Sequence, residues 1–272
     1  MNLSVRLGTP IRDERGFTLL ESLITVTIFL IVLFSVYMVH EANNASYSRS
    51  EMRMDIQQNA RVALSSMERE LRIAGYGVPD CPGTSTLPRI SEARPRTITF
   101  RADLRNVITT LTAAGANTLV LSTTTGIAAG DVIYVTNGAK AEALTVQNVN
   151  SGTLTVTTTT NLVNSYLSGS RLYVPRDVRY TIAGGQLLRE ERIAGGAWPP
   201  ITPDNILADR ILDQNTFRYY NALNTEIPSN NPVVSPDDNI RRVRITLIAS
   251  GTPSGLDLQT YTLTSDVKPR NL

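Results

Sequence analysis

The fold of this chain is decided by the stretch Arg15-Gly16-Phe17-Thr18-Leu19-Leu20-Glu21 and by the apolar run that follows it. No charged residue occurs from Ser22 to Val39, and twelve positions in this run are Leu, Ile, Val or Phe. A helix from Phe17 to Val39 would be about 34 Å long at about 1.5 Å per residue, which is enough to cross a hydrocarbon core of about 30 Å. The twelve side chains favour insertion by about 4–7 kcal/mol. The sequence therefore predicts a membrane-spanning helix.

Glu21 is the residue that opposes this insertion. A carboxylate at membrane depth costs about 3 kcal/mol at the bilayer centre and less near the edge, and it usually marks function. Cleavage between Gly16 and Phe17 would create an α-amine on Phe17, which cannot easily fold back onto Glu21 along a straight helix. The amine can reach the Glu21 of a neighbouring copy that is stacked with an axial offset. One carboxylate can therefore set the register of an assembly.

This arrangement resembles the class III signal of type IV prepilins and pseudopilins. The resemblance implies that a membrane-embedded prepilin peptidase cuts after Gly16 and N-methylates Phe17, and that Glu21 serves subunit assembly. The implied recognition motif consists of Arg15, Gly16, Phe17, Thr18, Leu19, Leu20 and Glu21. The alternative is an ordinary signal anchor in which the glutamate occurs by chance.

Residues 1–16 are expected to form a short leader. Its three arginines outweigh Asp13 and Glu14, and a positive excess before an apolar segment keeps the N-terminus in the cytoplasm. The remainder of the chain is then expected across the inner membrane, in the periplasm of a cell with two membranes. The leader lacks an apolar region that ends at a small-residue cleavage site, so it is not a standard secretory signal.

The composition fits an interaction protein better than an enzyme. The chain has 272 residues, a net charge of +2, one histidine and one cysteine. The small net charge gives no reason to expect nucleic-acid binding, and Cys81 alone cannot form an intrachain disulfide. His40 and Cys81 offer little material for a catalytic triad or a metal cluster, and no phosphate-binding loop occurs. We expect no catalytic residue, no metal site and no cofactor.

A long helix is predicted from Phe17 to Ala74, because this range contains no Gly and no Pro. Residues 17–40 form its transmembrane half and residues 41–75 its amphipathic half. An apolar stripe at steps of three or four residues marks the second half and is expected to pack under a β-sheet. The stripe comprises Met52, Ile56, Ala60, Ala63, Met67, Leu71 and Ala74. Gly75-Tyr76-Gly77 and Pro79 are expected to end the helix.

The end of this helix narrows the resemblance. The segments 57–64 and 68–77 are similar to the larger minor pilins of the PilW type, and the ending Ala-Gly-Tyr-Gly is closer to the pilus branch than to the J-type pseudopilins of type II secretion. The resemblance covers residues 15–77 well and 177–272 loosely. It implies an α+β, type IV pilin-like fold, in which the helix packs on an antiparallel sheet.

The head is predicted to comprise residues 76–102 and 175–272, with residues 103–174 as an inserted β-rich subdomain. Residues 78–96 are predicted to form a loop without strong structure, and 206–212 either a strand or a short helix. In the insert, five short strands separated by Gly-containing turns predict a small barrel or meander. They are predicted at Thr118–Ser122, Val132–Thr136, Ala143–Val149, Thr153–Thr158 and Arg171–Val174. The strand at 241–247 is expected to place arginines on a solvated face.

The function predicted from these features is that of a minor pilin of a type IV pilus, assembled through its N-terminal helix at a tip or initiation complex. The implied partners are prepilin peptidase, other minor and major pilins, the inner-membrane assembly platform and the membrane itself. The protein is expected first in the bacterial inner membrane and then in a pilus fibre at the cell surface, in a system that serves adhesion and twitching motility. The alternatives are a J-type pseudopilin and a membrane-anchored adhesin that never polymerises.

Overall fold

The structure, a computed structural model, describes residues 18–79, 88–228, 240–252 and 257–272. The leader, the cleavage position, Cys81 and residues 229–239 lie outside the described residues. The chain divides into two compact units, residues 1–50 and 51–272, and each is described by itself. The division falls inside the long helix, ten residues after the predicted end of its transmembrane half. The predicted domain boundaries otherwise stay predictions.

The long helix is confirmed as α1, Leu19–Arg72. It begins after Thr18, whose Oγ1 accepts a hydrogen bond from the Glu21 backbone N–H at 3.2 Å. Two turns at its C-terminal end contain Gly75 and Gly77, with φ of +84° and +76°. Only glycine enters this region without strain, so the helix cannot continue. The helix therefore ends two residues before the predicted Ala74.

The predicted apolar stripe is confirmed in the second unit. Ile56, Ala60, Ala63, Met67 and Leu71 are buried and join the same core as residues from both of the sheets described next. The steps of three and four residues place these side chains on one face of the helix, and this face packs against both sheets. Ala60 and Ala63 are small, and this allows the backbone of the helix to approach the strands closely.

The first sheet has five antiparallel strands in the order β1-β2-β9-β10-β11. Their bounds are β1 Ile90–Ala93, β2 Thr97–Ala102, β9 Arg176–Ala183, β10 Gln186–Ile193 and β11 Ile206–Ala208. Gly184 and Gly185 form the turn of a hairpin that joins β9 to β10 with a continuous register. The prediction of an unstructured segment at 78–96 is wrong at Ile90–Ala93, because this strand obtains its order from pairing with β2, which a local sequence pattern does not report.

The second sheet has four antiparallel strands in the order β13-β12-β14-β15. Their bounds are β12 Phe217–Tyr220, β13 Glu226–Ile227, β14 Arg242–Gly251 and β15 Gln259–Val267. An isolated bridge pairs Ile211, three residues after β11, with Ala249 of β14. The sequence allows a helix or a strand at 206–212; the structure has the short strand β11 at Ile206–Ala208, after a 3₁₀ turn at Pro203–Asn205.

The arginines of strand β14 differ in how far they are exposed to solvent. Arg242 lies 4.0 Å from the ring centroid of Tyr220, and its side chain is only 17% exposed. Arg244 donates two hydrogen bonds to Asp266, at 3.0 and 2.9 Å. These hydrogen bonds lower the pKa of Asp266. The predicted solvated face is therefore wrong for Arg242, which neighbouring strands largely cover, whereas Arg244 is 37% exposed and pairs with Asp266 on a solvated face, as predicted.

The region between β2 and β9 forms a closed antiparallel barrel in the order β3-β4-β7-β6-β5-β8. Its strands are β3 Ile108–Ala114, β4 Thr118–Leu121, β5 Val132–Thr136, β6 Ala141–Asn150, β7 Thr155–Thr158 and β8 Arg171–Tyr173. The five predicted strands are present, and the missed sixth, β3, closes the barrel by pairing with both β4 and β8. The barrel has an apolar core of its own. A barrel, and not an open meander, is therefore the correct alternative.

Candidate functional site

The candidate site is the N-terminal end of α1. The Thr18 hydroxyl caps the first turn by accepting a hydrogen bond from the Glu21 N–H. The backbone carbonyl of Thr18 accepts a hydrogen bond from the Ser22 N–H at 3.1 Å. Threonine at the cap and glutamate three residues later match the sequence signature of a helix start, and an acidic residue in the first turn interacts favourably with the helix dipole. Thr18 and Glu21 therefore fix where the helix begins, two residues after the predicted cleavage position.

The apolar half of α1 exposes its side chains on all sides. Every large apolar residue from Leu19 to Val39 is at least half exposed. The hydroxyls of Thr25, Thr27 and Ser35 donate to the backbone carbonyls four residues earlier, at 2.7–2.8 Å. Their polar atoms are thus satisfied within the helix, which suits an apolar surrounding. By length and composition, α1 can cross a membrane.

The structure brings Glu21, Leu19 and Leu20 together in one exposed helical turn. No residue in the described ranges forms an ion pair with the Glu21 carboxylate. The predicted motif residues Arg15, Gly16 and Phe17 lie outside the described part, so their placement relative to Glu21 stays a prediction. His40 lies 3.2 Å from the Asn44 amide on the same helix and faces solvent.

Sequence reasoning missed the polar residues that hold α1 under the first sheet. Glu70 accepts a hydrogen bond from the Tyr180 hydroxyl at 2.5 Å and from Arg189 Nε at 3.0 Å. Burial and the neighbouring Glu70 charge raise the pKa of Tyr180 far above its usual range. In sequence, Glu70 is one of many charged residues between the stripe positions, and only its partners on β9 and β10 distinguish it.

A second polar cluster, also missed, orients the barrel relative to the sheet. The buried Asp131, in the turn before β5, binds Arg176 at the start of β9 at 2.8 Å. Next to it, Arg101 and Asp177 form an ion pair of 2.7 Å whose side chains are 3% and 1% exposed. Removing one member of such a pair leaves a buried charge without compensation, which is strongly destabilising. The chain entering the barrel and the chain leaving it are therefore tied together.

In the described part of the chain, no group of three or more His, Cys, Asp or Glu side chains is arranged to hold a metal ion. The features that remain are an apolar helix with one carboxylate at its start and a β-rich head. These features fit a class of protein that carries an α+β head behind a single apolar N-terminal helix.

Comparison with known proteins makes this class more specific. A family model described as the prokaryotic N-terminal methylation motif matches residues 11–37. Neither the curated proteins nor the solved structures contain a match to the chain. The methylation motif and the apolar helix together identify the chain as a prepilin-like protein, a pilin- or pseudopilin-type substrate of prepilin peptidase. The motif is that of a structural subunit and not of an enzyme family.

Proposed function

We propose that this protein is a minor pilin of a type IV pilus. The observation that carries the proposal is the methylation motif at residues 11–37 followed by an exposed apolar helix with a single carboxylate at its start. Cleavage after Gly16 and N-methylation of Phe17 release a subunit that the helix stores in the inner membrane. During extraction, packing of the helix against neighbouring pilin helices offsets the loss of lipid contact, and Glu21 sets the axial offset through the amine of a neighbour.

The size of the head supports a position at the tip or initiation complex. The barrel adds a second packed core beside the two sheets, so the head is bulkier than helix packing alone requires. A bulky head limits how many copies a close-packed shaft can accommodate. A low copy number in purified fibres is the expected result, and an abundance equal to that of the main subunit would contradict it.

The first test is the intact mass and N-terminal sequence of the protein isolated from its own cells. A chain that begins at a methylated Phe17 is the expected result. A chain that retains residues 1–16 in cells with an active prepilin peptidase would contradict the proposal and favour a plain membrane-anchored adhesin. Deletion of the protein then separates two systems, because loss of pili supports the minor pilin and loss of protein secretion supports the J-type pseudopilin.

The second test concerns Glu21. We expect Glu21→Ala to be processed and membrane-inserted but absent from fibres, because the register partner of the neighbouring amine is lost. Glu41→Ala is the matched control, since Glu41 is an exposed carboxylate on the same helix beyond the apolar run. Equal incorporation of both variants into fibres would refute the assembly role of Glu21.

A further inference from the structure

Strand β15 is the one long edge in the described part of the two sheets. It pairs with β14 over nine residues, from Val267 to Gln259, without a register shift. The other edges, β1, β11 and β13, are four, three and two residues long, and β1 and β11 pair irregularly. Proteins usually protect sheet edges by short strands, bulges, proline or lysine. Within β15 none of these devices occurs.

The hydrogen bonds on the far side of β14 identify the free groups of β15. Thr246 N–H donates to the Thr216 carbonyl and Ser250 N–H to the Arg210 carbonyl, both at 2.8 Å. The even-numbered residues of β14 thus direct their backbone groups away from β15. Residues opposite each other in an antiparallel ladder share this orientation, so their partners direct N–H and C=O away from β14. These partners are Thr260, Thr262, Thr264 and Asp266.

The free backbone groups form a regular row. Four N–H and four C=O groups lie along this edge, one of each from the four residues just named. None of them takes part in a backbone hydrogen bond with another residue of the described ranges. A row of this kind is a template for one more strand, and main-chain hydrogen bonds supply the affinity in β-strand addition.

The side chains of β15 describe the strand that would fit. Tyr261 and Leu263 face α1 and pack at the border of the main core, while Thr260, Thr262 and Thr264 are exposed on the opposite face. The single charged residue of β15, Asp266, is already bonded to Arg244. An added strand therefore meets an apolar row on one face and a hydroxyl row on the other. An uncharged strand that alternates apolar and small polar residues matches both.

The direction of β15 argues against a second copy of this chain as the partner. Gln259 contacts Arg53, Tyr261 contacts Arg61, and the tail after β15 contacts Arg72, so the strand runs in the direction of the helix. Two β15 strands paired about a two-fold axis run antiparallel, and their helices would point in opposite directions. Subunits that enter one membrane from the same side have parallel helices. A contact between β15 and a different strand of the neighbouring subunit allows the two helices to stay parallel.

We propose that the β15 edge takes up an extended strand from the head of a different pilin-like subunit. The identity of the partner rests on the proposed function, because neighbouring subunits of one assembly share the helix direction. The strand addition itself rests only on the geometry of the edge. The edge thus supplies a head-to-head contact that is independent of the register set by Glu21.

The test uses the full chain in its own cells, with a photo-crosslinking amino acid at Thr260 and a different epitope tag on each pilin-like subunit. Thr262→Pro removes one outward N–H and leaves the ladder with β14 intact, and Thr262→Ala is the matched control with its N–H retained. We expect a crosslink to one other pilin-like subunit that falls about tenfold or more in Thr262→Pro, because a strand docked there would leave a carbonyl unpaired. Thr262→Ala should crosslink as wild type does.

A second variant covers the case in which the proline destabilises the head. Thr262→Lys/Thr264→Lys keeps the backbone and places two exposed charges on the edge, which should reduce the crosslink to a similar extent. The proposal is overturned by the absence of a crosslink to another pilin-like subunit, by a crosslink that both variants retain, or by a crosslink to a second tagged copy of this chain.

The intact mass, measured in the same cells, separates the two proposals. A processed, fibre-incorporated subunit without the crosslink refutes the edge contact alone, and an unprocessed subunit with the crosslink refutes the pilin function alone.

Discussion

Replacing Glu70 by glutamine tests how α1 is held under the first sheet. The carboxylate accepts hydrogen bonds from the Tyr180 hydroxyl and from Arg189 Nε, and the Glu70 side chain is only 13% exposed. Glutamine can keep the bond to Tyr180 but loses the charge that faces Arg189. Arg189 retains Glu191 at 3.3 Å and some contact with water. Since hydrogen bonds to charged groups contribute about 1.5–3 kcal/mol each, we expect a loss of about 2 kcal/mol in the free energy of unfolding.

The assay is urea unfolding of the full chain in mild detergent, followed by the fluorescence of Trp198. This residue is the single tryptophan of the chain and lies over Arg179 and Arg192 on the same sheet. Glu68→Gln is the matched control, because Glu68 is on the same helix and forms no ion pair with a described residue. Its effect should stay within about 0.5 kcal/mol. If Glu70→Gln destabilises the protein no more than Glu68→Gln does, the proposed role of Glu70 is wrong.

Three further predictions concern the same unit. Leu71→Ala should cost about 3 kcal/mol because the side chain is fully buried between helix and sheets, and the urea midpoint measures this loss. Gly75→Ala should lower the thermal midpoint, since the residue has a φ of +84° and an added Cβ would lie 2.5 Å from the Asn271 carbonyl oxygen; an unchanged midpoint would contradict this geometry. Burial raises the pKa of both Tyr180 and Tyr219, so the stability that they contribute is complete below the unfolded-state pKa of about 10 and falls as the pH rises above it. Unfolding from pH 8 to pH 11 checks this, and the loss should be smaller in Tyr180→Phe.

Much of the fold could be predicted because its signals are local. The absence of Gly and Pro over residues 17–74 predicted a single helix, and the stripe from Ile56 to Leu71 predicted which face is buried. The alternation of apolar and polar residues in β14 is visible in the sequence, and Val243 and its neighbours at every second position face the core. Strand β3 was missed because it is ordered in part by β8, which is distant in sequence, and β1 was missed because its four residues are too few to show a clear alternation.

Some residues of the candidate site could likewise be found from the sequence, and others only from the structure. The motif around Glu21 could be found from sequence, because the order of residue types along a short segment carries the signal. Glu70, Asp131 and Asp177 could not be found, because each is one of many charged residues until its partner on another strand is known. A carboxylate becomes a fixed contact only when folding removes it from water and places a cation beside it.

The sequence by itself determined that this chain is an apolar helix with one carboxylate at its start, followed by a β-rich head. Composition and periodicity are properties of neighbouring residues, and hydrophobic transfer and helix geometry act on them directly. Only the tertiary structure decided that the head has two sheets and a closed barrel, and that β15 is a long free edge. Strand order depends on pairings between distant segments, and a free edge exists only after every other strand has found its neighbour.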